Sequence, residues 1–368
     1  MLILLVSSMS ALGGTERSTQ TLSELLTARG HEVHLFGTQG PLCKDIQQLG
    51  VKFFEAQTHS NNPLDNVEFV RRLTKLLKTY DYDCIHLQMA RPVPLAAIAK
   101  RLARSRAKII WHSRGIHAAT YKYVPRLLSA MGVRAIGNCK AEQEKLVRYG
   151  FAENRVGYFY NPCRIEHKQG SRSAFRAEHG FEAGDIVIGS LSRLHAHRGV
   201  DYAIRYFDKL CREHSDLGRL FLLIAGDGED RAKLEAQAAQ SAAADRILFI
   251  GAIKDTQDFY AGIDLFWNPV AFKAEESAGT GNTIIEAGFQ RVPMVSHDWG
   301  GVREIIIDGV TGGVAEIGED EVFVDKTVAL LADEQYRNET IERAFSRVTE
   351  LVGSAVCVDK LEHYYASL

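Results

Sequence analysis

One alternation constrains this chain more than any other feature: a short apolar run, a turn of small residues and an amphipathic segment recur from end to end. The first forty residues set the unit. LILLVS reads as a fully buried strand, SMSALGG as a turn, ERSTQTLSELLTAR as a helix stopped by Gly30, and EVHLF as a second strand. The same pattern predicts a helix over Val67 to Lys78, a strand CIHLQ at 84–88, a helix over Leu95 to Ala103, the strands KIIWH and VRAIGN, and a helix over Ala141 to Tyr149. Strands that are apolar throughout and separated by helices belong in a parallel sheet covered on both faces.

The rhythm breaks after Asn161, in NPCRIEHKQGSRS, and a linker is placed near residues 164–175. It restarts with IVIGSL, a helix over Val200 to Glu213, LFLLIAGDG, a helix over Asp230 to Ala239, RILFIG, a short helix near Thr256, DLFWNP, a helix after Thr283 and VPMVS. A chain of 368 residues holds two cores, since one domain takes roughly 100–200 residues. The expected fold class is therefore α/β, with two doubly wound Rossmann-like domains facing a central cleft. The expected boundaries are 1–165 for the N-terminal domain, 166–352 for the C-terminal domain and 353–368 for a C-terminal helix packing back on the first.

Composition removes several alternatives. With 46% hydrophobic and 24% charged residues, 31 Gly and 8 Pro, the chain fits an ordinary globular protein and not a disordered, collagenous or coiled-coil one. The longest apolar runs, such as Leu2 to Val6 and Ile305 to Ile307, fall far short of the roughly 18 residues of a membrane-spanning helix. MLILLVSSMSALGG has no basic start and too short an apolar core for a signal peptide, so it is read as a buried first strand. The cysteines at 43, 84, 139, 163, 211 and 357 show no CxxC and no Cys/His ligand spacing, which predicts neither a zinc site nor a disulfide framework and fits a cytoplasmic protein.

The net charge of −2 hides an asymmetry. Residues 1–170 carry 24 basic and 13 acidic side chains, a balance of +11, and the remainder carries 20 and 33, a balance of −13. The basic half calls for a polyanionic partner: nucleic acid, a phosphorylated substrate or an anionic membrane surface. The acidic half argues against duplex DNA wrapping the molecule, and no nucleic-acid partner is expected.

Gly13 and Gly14 sit between the first strand and its helix, where small residues let the backbone approach an anion and unpaired helix N–H groups face it. No full G-x-G-x-x-G follows, so a plain tight turn remains the other reading and a dinucleotide cofactor is not expected. ESAGTGNTIIEAGFQRVPMVSHDWGGVREII is more informative. A glycine-rich loop from Gly279 to Asn282 runs into a helix bearing Glu286, followed by an apolar strand and the Gly300-Gly301 turn. Backbone N–H groups of Gly281, Asn282 and Thr283, with the Thr280 hydroxyl, suit a distal phosphate. Arg193 and Arg198, five apart across a strand-to-helix turn, are spaced as a phosphate clamp.

This segment resembles the donor-site signature of retaining glycosyltransferases of the GT-B fold, glycosyltransferase family 4, in which E-G-x-G-x-x-x-x-E-A precedes G-x-P-V and GG-x-x-E. Glu286-Ala287, Pro293-Met294-Val295 and Gly300-Gly301 with Glu304 match it. GGTER at 13–17, SRLHAHRGVDYAI at 192–204, IAGDGEDRAKLE and FIGAIKDTQDFYAGIDLFWNP are similar to the family's other motifs and stand in the family's order.

The resemblance implies that Arg193 and Arg198 hold the pyrophosphate, Arg198 standing where the family usually has Lys. It implies that Glu286 accepts hydrogen bonds from the ribose hydroxyls and that His112, ending KIIWH at the cleft edge, contacts the donor sugar, with His86 as the competing histidine. Attack is expected from the front side, without a covalent enzyme intermediate. The family's first glutamate falls on Ala278; a two-residue insertion would put Glu276 in its place, and Glu276 is assigned as catalytic, with Glu275 or no equivalent as the alternatives. No DxD and no His/Asp cluster with ligand spacing surrounds the loop, so neither a metal nor a cofactor is expected, the nucleotide sugar being a substrate.

The family places the acceptor on the N-terminal domain, here the basic one. PLAAIAKRLARSRAK sets Lys100, Arg101, Arg104, Arg106 and Lys108 beside an apolar face, and TYKYVPRLLSAMGVR adds Tyr121, Tyr123, Leu127 and Leu128 with Lys122 and Arg126. That is the composition of an interfacial membrane patch. The expected partners are a nucleotide-sugar donor, a glycan or lipid-linked acceptor and an anionic membrane surface, with the protein peripheral on the inner face of the cell membrane. The expected function is retaining transfer from a UDP-sugar to a lipopolysaccharide, O-antigen or capsule precursor. A sugar-nucleotide epimerase of the same fold and a non-catalytic sugar-nucleotide-binding scaffold of a glycan assembly complex are the other readings.

Overall fold

The computed structural model describes the chain apart from residues 12, 59, 116, 117, 164, 167, 272–278 and 368. It divides into two compact units, Met1–Arg164 with Val352–Leu368, and Ile165–Leu351.

The first unit holds a seven-stranded parallel sheet of β1 (Leu2–Ser8), β2 (Glu32–Thr38), β3 (Lys52–Glu55), β4 (Cys84–Leu87), β5 (Lys108–Ser113), β6 (Arg134–Gly137) and β7 (Val156–Tyr158), in the order β3-β2-β1-β4-β5-β6-β7. β1 is central, and Ile3 to Val6 are wholly buried, which is why its sequence is apolar without alternation. The order reverses between β1 and β4, the place where doubly wound sheets open a ligand crevice at their C-terminal edge. On one face Leu4, Val6, Ile85, Leu87 and Trp111 pack with Phe69 and Leu73 of the helix Pro63–Thr79 and Ala96 of the helix Val93–Ala103. That first helix starts four residues before the apolar periodicity, because the Asn62 side chain accepts the Leu64 N–H at 3.0 Å and Pro63 occupies the opening position.

The opposite face receives the C-terminal helix Ser354–Ala366, whose Cys357, Val358, Leu361 and Tyr365 form one buried stripe. Tyr364 Oη donates to the Ala135 carbonyl at 2.9 Å, and Arg29 and His31 meet Asp359 and Glu362 at 2.6–3.3 Å. Burying four such side chains contributes about 1.5–3 kcal/mol each, far more than the exposed ion pairs.

The second unit holds a six-stranded parallel sheet of β8 (Ile186–Leu191), β9 (Leu220–Ala225), β10 (Ile247–Gly251), β11 (Leu265–Asn268), β12 (Met294–His297) and β13 (Gly313–Ala315), in the order β10-β9-β8-β11-β12-β13. Its reversal lies between β8 and β11. The helix Val200–Glu213 buries Ala203, Ile204, Tyr206, Phe207 and Leu210 against Leu222, Ile224 and Trp267. The helix Glu334–Val352 closes this unit, with Val348 against Gly288 and Arg347 donating to the Glu304 carbonyl at 2.6 and 3.0 Å. No described helix is long and apolar enough to cross a membrane, and all six cysteines are free thiols.

Candidate active site

In the second unit, three loops leave the C-terminal ends of the neighbouring strands β8, β11 and β12. The first bears Arg193 and Arg198. A Cβ on Gly226, at φ +137°, would lie 1.8 Å from the Ser192 carbonyl oxygen, so the loops after β8 and β9 run backbone against backbone. A Cβ on Gly199, at φ +68°, would lie 2.6 Å from the Val270 nitrogen, and the Ala271 N–H donates to the His197 carbonyl at 3.2 Å. These glycines fix the arginine loop against its neighbours. Both arginines are exposed, and neither has an ion pair among the described residues. Desolvation by the surrounding loops, and then the Arg193 charge, lowers the Arg198 pKa. Two like charges held close favour an anion, which converts their repulsion into charge-assisted hydrogen bonds.

The second loop contains Glu275, Glu276 and Ala278, all of which lie outside the described residues. Gly279 and Thr280 are buried, and the Gly279 carbonyl accepts the Gly301 N–H at 2.8 Å, joining this loop to the turn after β12. Gly281, at φ +71°, caps the helix Asn282–Phe289, whose first residues Asn282 and Thr283 are half-buried. The aligned peptide dipoles of a helix give such a start a partial positive charge. Glu286 lies one turn in and accepts the Thr256 hydroxyl at 3.0 Å. Thr256 escaped sequence reading because it belongs to another element, just before the helix Gln257–Gly262.

A second feature that linear spacing hides is a meeting of the loops after β8 and β9. His195 Nδ1 lies 3.2 Å from a Glu229 carboxylate oxygen, and ligand atoms of His195, Glu229 and Asp230 all fall within 4.8 Å of one another. These groups are of the type that binds a cation, although exposed acids gather without one.

In the first unit, Gly13 is buried and Gly14 opens the helix Gly14–Ala28 without a side-chain cap. Glu16, in its first turn, is buried. His112 does not face an open edge as expected. Alternation along the strands turns His86 and His112 toward the face that the C-terminal helix covers, and both are fully buried. Their rings stack with centroids 5.4 Å apart, and His112 lies 4.9 Å from the Phe159 ring with neither nitrogen partnered. Burial first, and then the Arg114 cation, pushes His86 down to about 3 and holds His112 well below the usual histidine range. Both are neutral imidazoles at physiological pH.

Tyr121 and Leu128 likewise depart from expectation, being buried instead of part of a surface patch, while Tyr123 and Leu127 are exposed. Tyr121 turns inward because its hydroxyl donates to the Glu142 carboxylate, at 2.7 and 2.9 Å to its two oxygens, and Ser113 donates to the same group. Burial pushes Glu142 up to about 7 despite those bonds.

Two family models match this chain: Glycosyltransferase Family 4 over residues 12–167 and Glycosyl transferases group 1 over residues 171–347. The N-acetyl-alpha-D-glucosaminyl L-malate synthase of Bacillus anthracis is 23% identical over 377 residues, spanning 96% of this chain and 94% of its own. The lipopolysaccharide core biosynthesis glycosyltransferase LpsE of Rhizobium meliloti (strain 1021) is 30% identical over 168 residues, 46% of each chain. Among solved structures, Anabaena Alr3699/HepE in complex with UDP and glucose shares the fold, with a TM-score of 0.83 over 100% of both chains at 19% identity.

Proposed function

This chain belongs to the glycosyl transferases group 1 family and is a GT-B glycosyltransferase, and from that premise we propose that it transfers a sugar from a UDP-sugar, with retention, to a cell-envelope glycan precursor. The observation that carries the donor assignment is the Arg193/Arg198 pair, without an ion pair among the described residues, in the same row of loops as the N-terminus of the helix bearing Glu286. The departing nucleoside diphosphate gains negative charge as the glycosidic bond to it breaks. Preorganised guanidinium and backbone N–H donors stabilise that charge in the transition state. Glu286 orients the ribose, and Glu276 or Glu275 contacts the transferred sugar. His112, a fully buried neutral imidazole, is given no donor-sugar contact in this reading.

UDP as the nucleotide is supported by the Anabaena structure, which holds UDP and glucose, and the envelope role by the Rhizobium relative's part in lipopolysaccharide core synthesis. The arginine pair and the helix N-terminus supply the positive charge that a divalent cation supplies elsewhere, so transfer is metal-independent in this reading.

Docking on an anionic membrane surface belongs to the same proposal. It rests on a pocket of about 720 Å³ in the first unit, at the N-terminal ends of β5 and β6, lined by Lys100, Arg101, Arg104, Lys108, Arg134 and Arg155. None of the six has an ion pair among the described residues, and exposed Ile98 and Met131 lie among them.

The deciding experiment is nucleotide release from a panel of UDP- and GDP-sugars, with and without EDTA, alongside thermal unfolding with each nucleotide sugar. Stabilisation and EDTA-insensitive release with one UDP-sugar, lost in Glu276→Ala, is the expected result. Stabilisation without turnover on any acceptor would favour a scaffold, and no stabilisation by any nucleotide sugar would remove the donor assignment.

A further inference from the structure

Arg114 stands just past the end of β5 and differs from the other inward-turned arginine of this chain. Arg176, in the second unit, spends its guanidinium on the Asp264 carboxylate and on the carbonyls of Gly262, Glu182 and Asp185, at 2.6–3.2 Å. That is how a structural guanidinium is satisfied: a counter-charge and most of its five N–H donors engaged. Among the described residues, Arg114 has only the amide oxygens of Asn161 and Gln88, at 2.8 and 2.6 Å. Both are neutral. Its Nε is buried with no partner, and among the described residues it forms no ion pair.

The surroundings share this incompleteness. The Gln88 side-chain nitrogen, the Asn138 side-chain oxygen, His86 Nε2 and both His112 ring nitrogens are also buried without partners. Gln88 follows β4 and Arg114 follows β5, beside the strand-order reversal at the C-terminal edge of the sheet. Glu16, on the helix after β1, is the acidic group whose charge Arg114 feels. Leaving several hydrogen-bonding groups unsatisfied beside a half-engaged guanidinium at one sheet edge is costly, and a ligand or ordered water relieves that cost. Desolvation brings the guanidinium pKa down to about 9, with the Glu16 charge opposing the shift.

We infer that Arg114, held by Gln88 and Asn161, binds an anionic group, a carboxylate or a phosphoryl, on the acceptor substrate. This rests on the transferase reading, and it deepens that reading by naming the chemical class of the acceptor. Gln88 and Asn161 fix the guanidinium plane, and its remaining N–H groups, with the Gln88 amide, form the donor set for two anionic oxygens.

Thermal unfolding of the full chain tests it, with malonate or inorganic phosphate as probes against sodium chloride at equal ionic strength, in wild type and Arg114→Gln. UDP is run in parallel on both proteins. The expected result is an anion-specific rise in Tm in wild type that is lost in Arg114→Gln, with affinity falling on the order of tenfold to a hundredfold, while the UDP response persists in both. A response to malonate alone marks a carboxylate acceptor and one to phosphate alone a phosphorylated acceptor. A phosphate shift that remains in Arg114→Gln comes from the other basic sites, the Arg193/Arg198 loop or the pocket at the other sheet edge, so the test reads only the part of the shift that differs between the two proteins. Equal shifts in wild type and Arg114→Gln, or no shift in wild type, overturn the inference. Loss of the UDP response in wild type instead overturns the transferase reading.

Discussion

Tyr365 Oη lies 2.6 Å from His86 Nδ1, so the last turn of the chain is bonded to the fourth strand across 279 positions of sequence. Both residues are buried, and His86 Nε2 already lacks a partner. Tyr365→Phe therefore leaves both ring nitrogens unsatisfied. We expect a loss of about 1–3 kcal/mol in unfolding free energy, read from the urea midpoint at unchanged m-value. An unaltered midpoint would show that the bond adds nothing to stability.

Glu142 gives the first unit a pH dependence of definite sign. Its carboxyl is raised to about 7 from 4.5, so the folded state holds a proton that the unfolded state releases. The stabilisation is complete below about pH 4.5 and is lost as the pH rises through about 7, an effect of about 3 kcal/mol. Glu142→Gln keeps the amide in the bonding role of the protonated acid. The difference in stability between wild type and this variant should therefore change between pH 4.5 and 7.5, in favour of the variant at the upper end. A difference independent of pH would exclude Glu142 as the titrating group.

The alternation of strands and helices was legible because the central strands are buried on both faces and need apolar residues at every position, as Ile3 to Val6 and Leu220 to Ala225 show. β7 and β13, three residues each, were not. A strand that short has no period to read. The glycine loops of the second unit were legible for a different reason: Gly199 and Gly281 occupy left-handed backbone beside close neighbours, and that demand marks the sequence directly. What escaped was pairing between distant elements. Thr256 with Glu286, His195 with Glu229, and Arg114 with Gln88 and Asn161 each join elements far apart in sequence. The direction of His112 escaped as well, because alternation tells that a side chain points to one face, and only the path of the C-terminal helix tells which face is covered.

Arg193 and Arg198 crowd one another with no ion pair among the described residues, which implies strong dependence on the donor's charge. Arg193→Ala and Arg198→Ala should each weaken UDP-sugar binding about 10–100-fold, from the loss of a charge-assisted hydrogen bond. Unfolding in the absence of ligand should change little, since both side chains are exposed. Titration calorimetry at two salt concentrations separates the outcomes, because the weakened variants should also lose salt sensitivity. Wild-type affinity in either variant would take the diphosphate away from this loop.

Gly199→Ala probes the same loop through its backbone. The residue sits at φ +68°, and the added methyl would meet the Val270 nitrogen at 2.6 Å, so backbone on one side must shift. Destabilisation of about 1–3 kcal/mol is expected, together with weaker donor binding, since Arg198 is the adjacent residue. Stability loss with unchanged donor affinity would mean that the arginine's position does not depend on this turn.

The basic pocket at the N-terminal ends of β5 and β6 lies at the opposite edge of its sheet from Gly13, Gln88 and Arg114, so charge there can be reversed without touching those groups. Arg101→Glu/Arg104→Glu should reduce co-sedimentation with vesicles containing anionic lipid by at least about tenfold, since each basic side chain near such a surface contributes about 1 kcal/mol. Binding to neutral vesicles should be weak in both proteins, and nucleotide release from a soluble donor should be unaffected. If wild type ignores anionic vesicles, the six cations serve a soluble polyanion instead. If the variant binds them as well as wild type does, the membrane contact lies elsewhere on this unit.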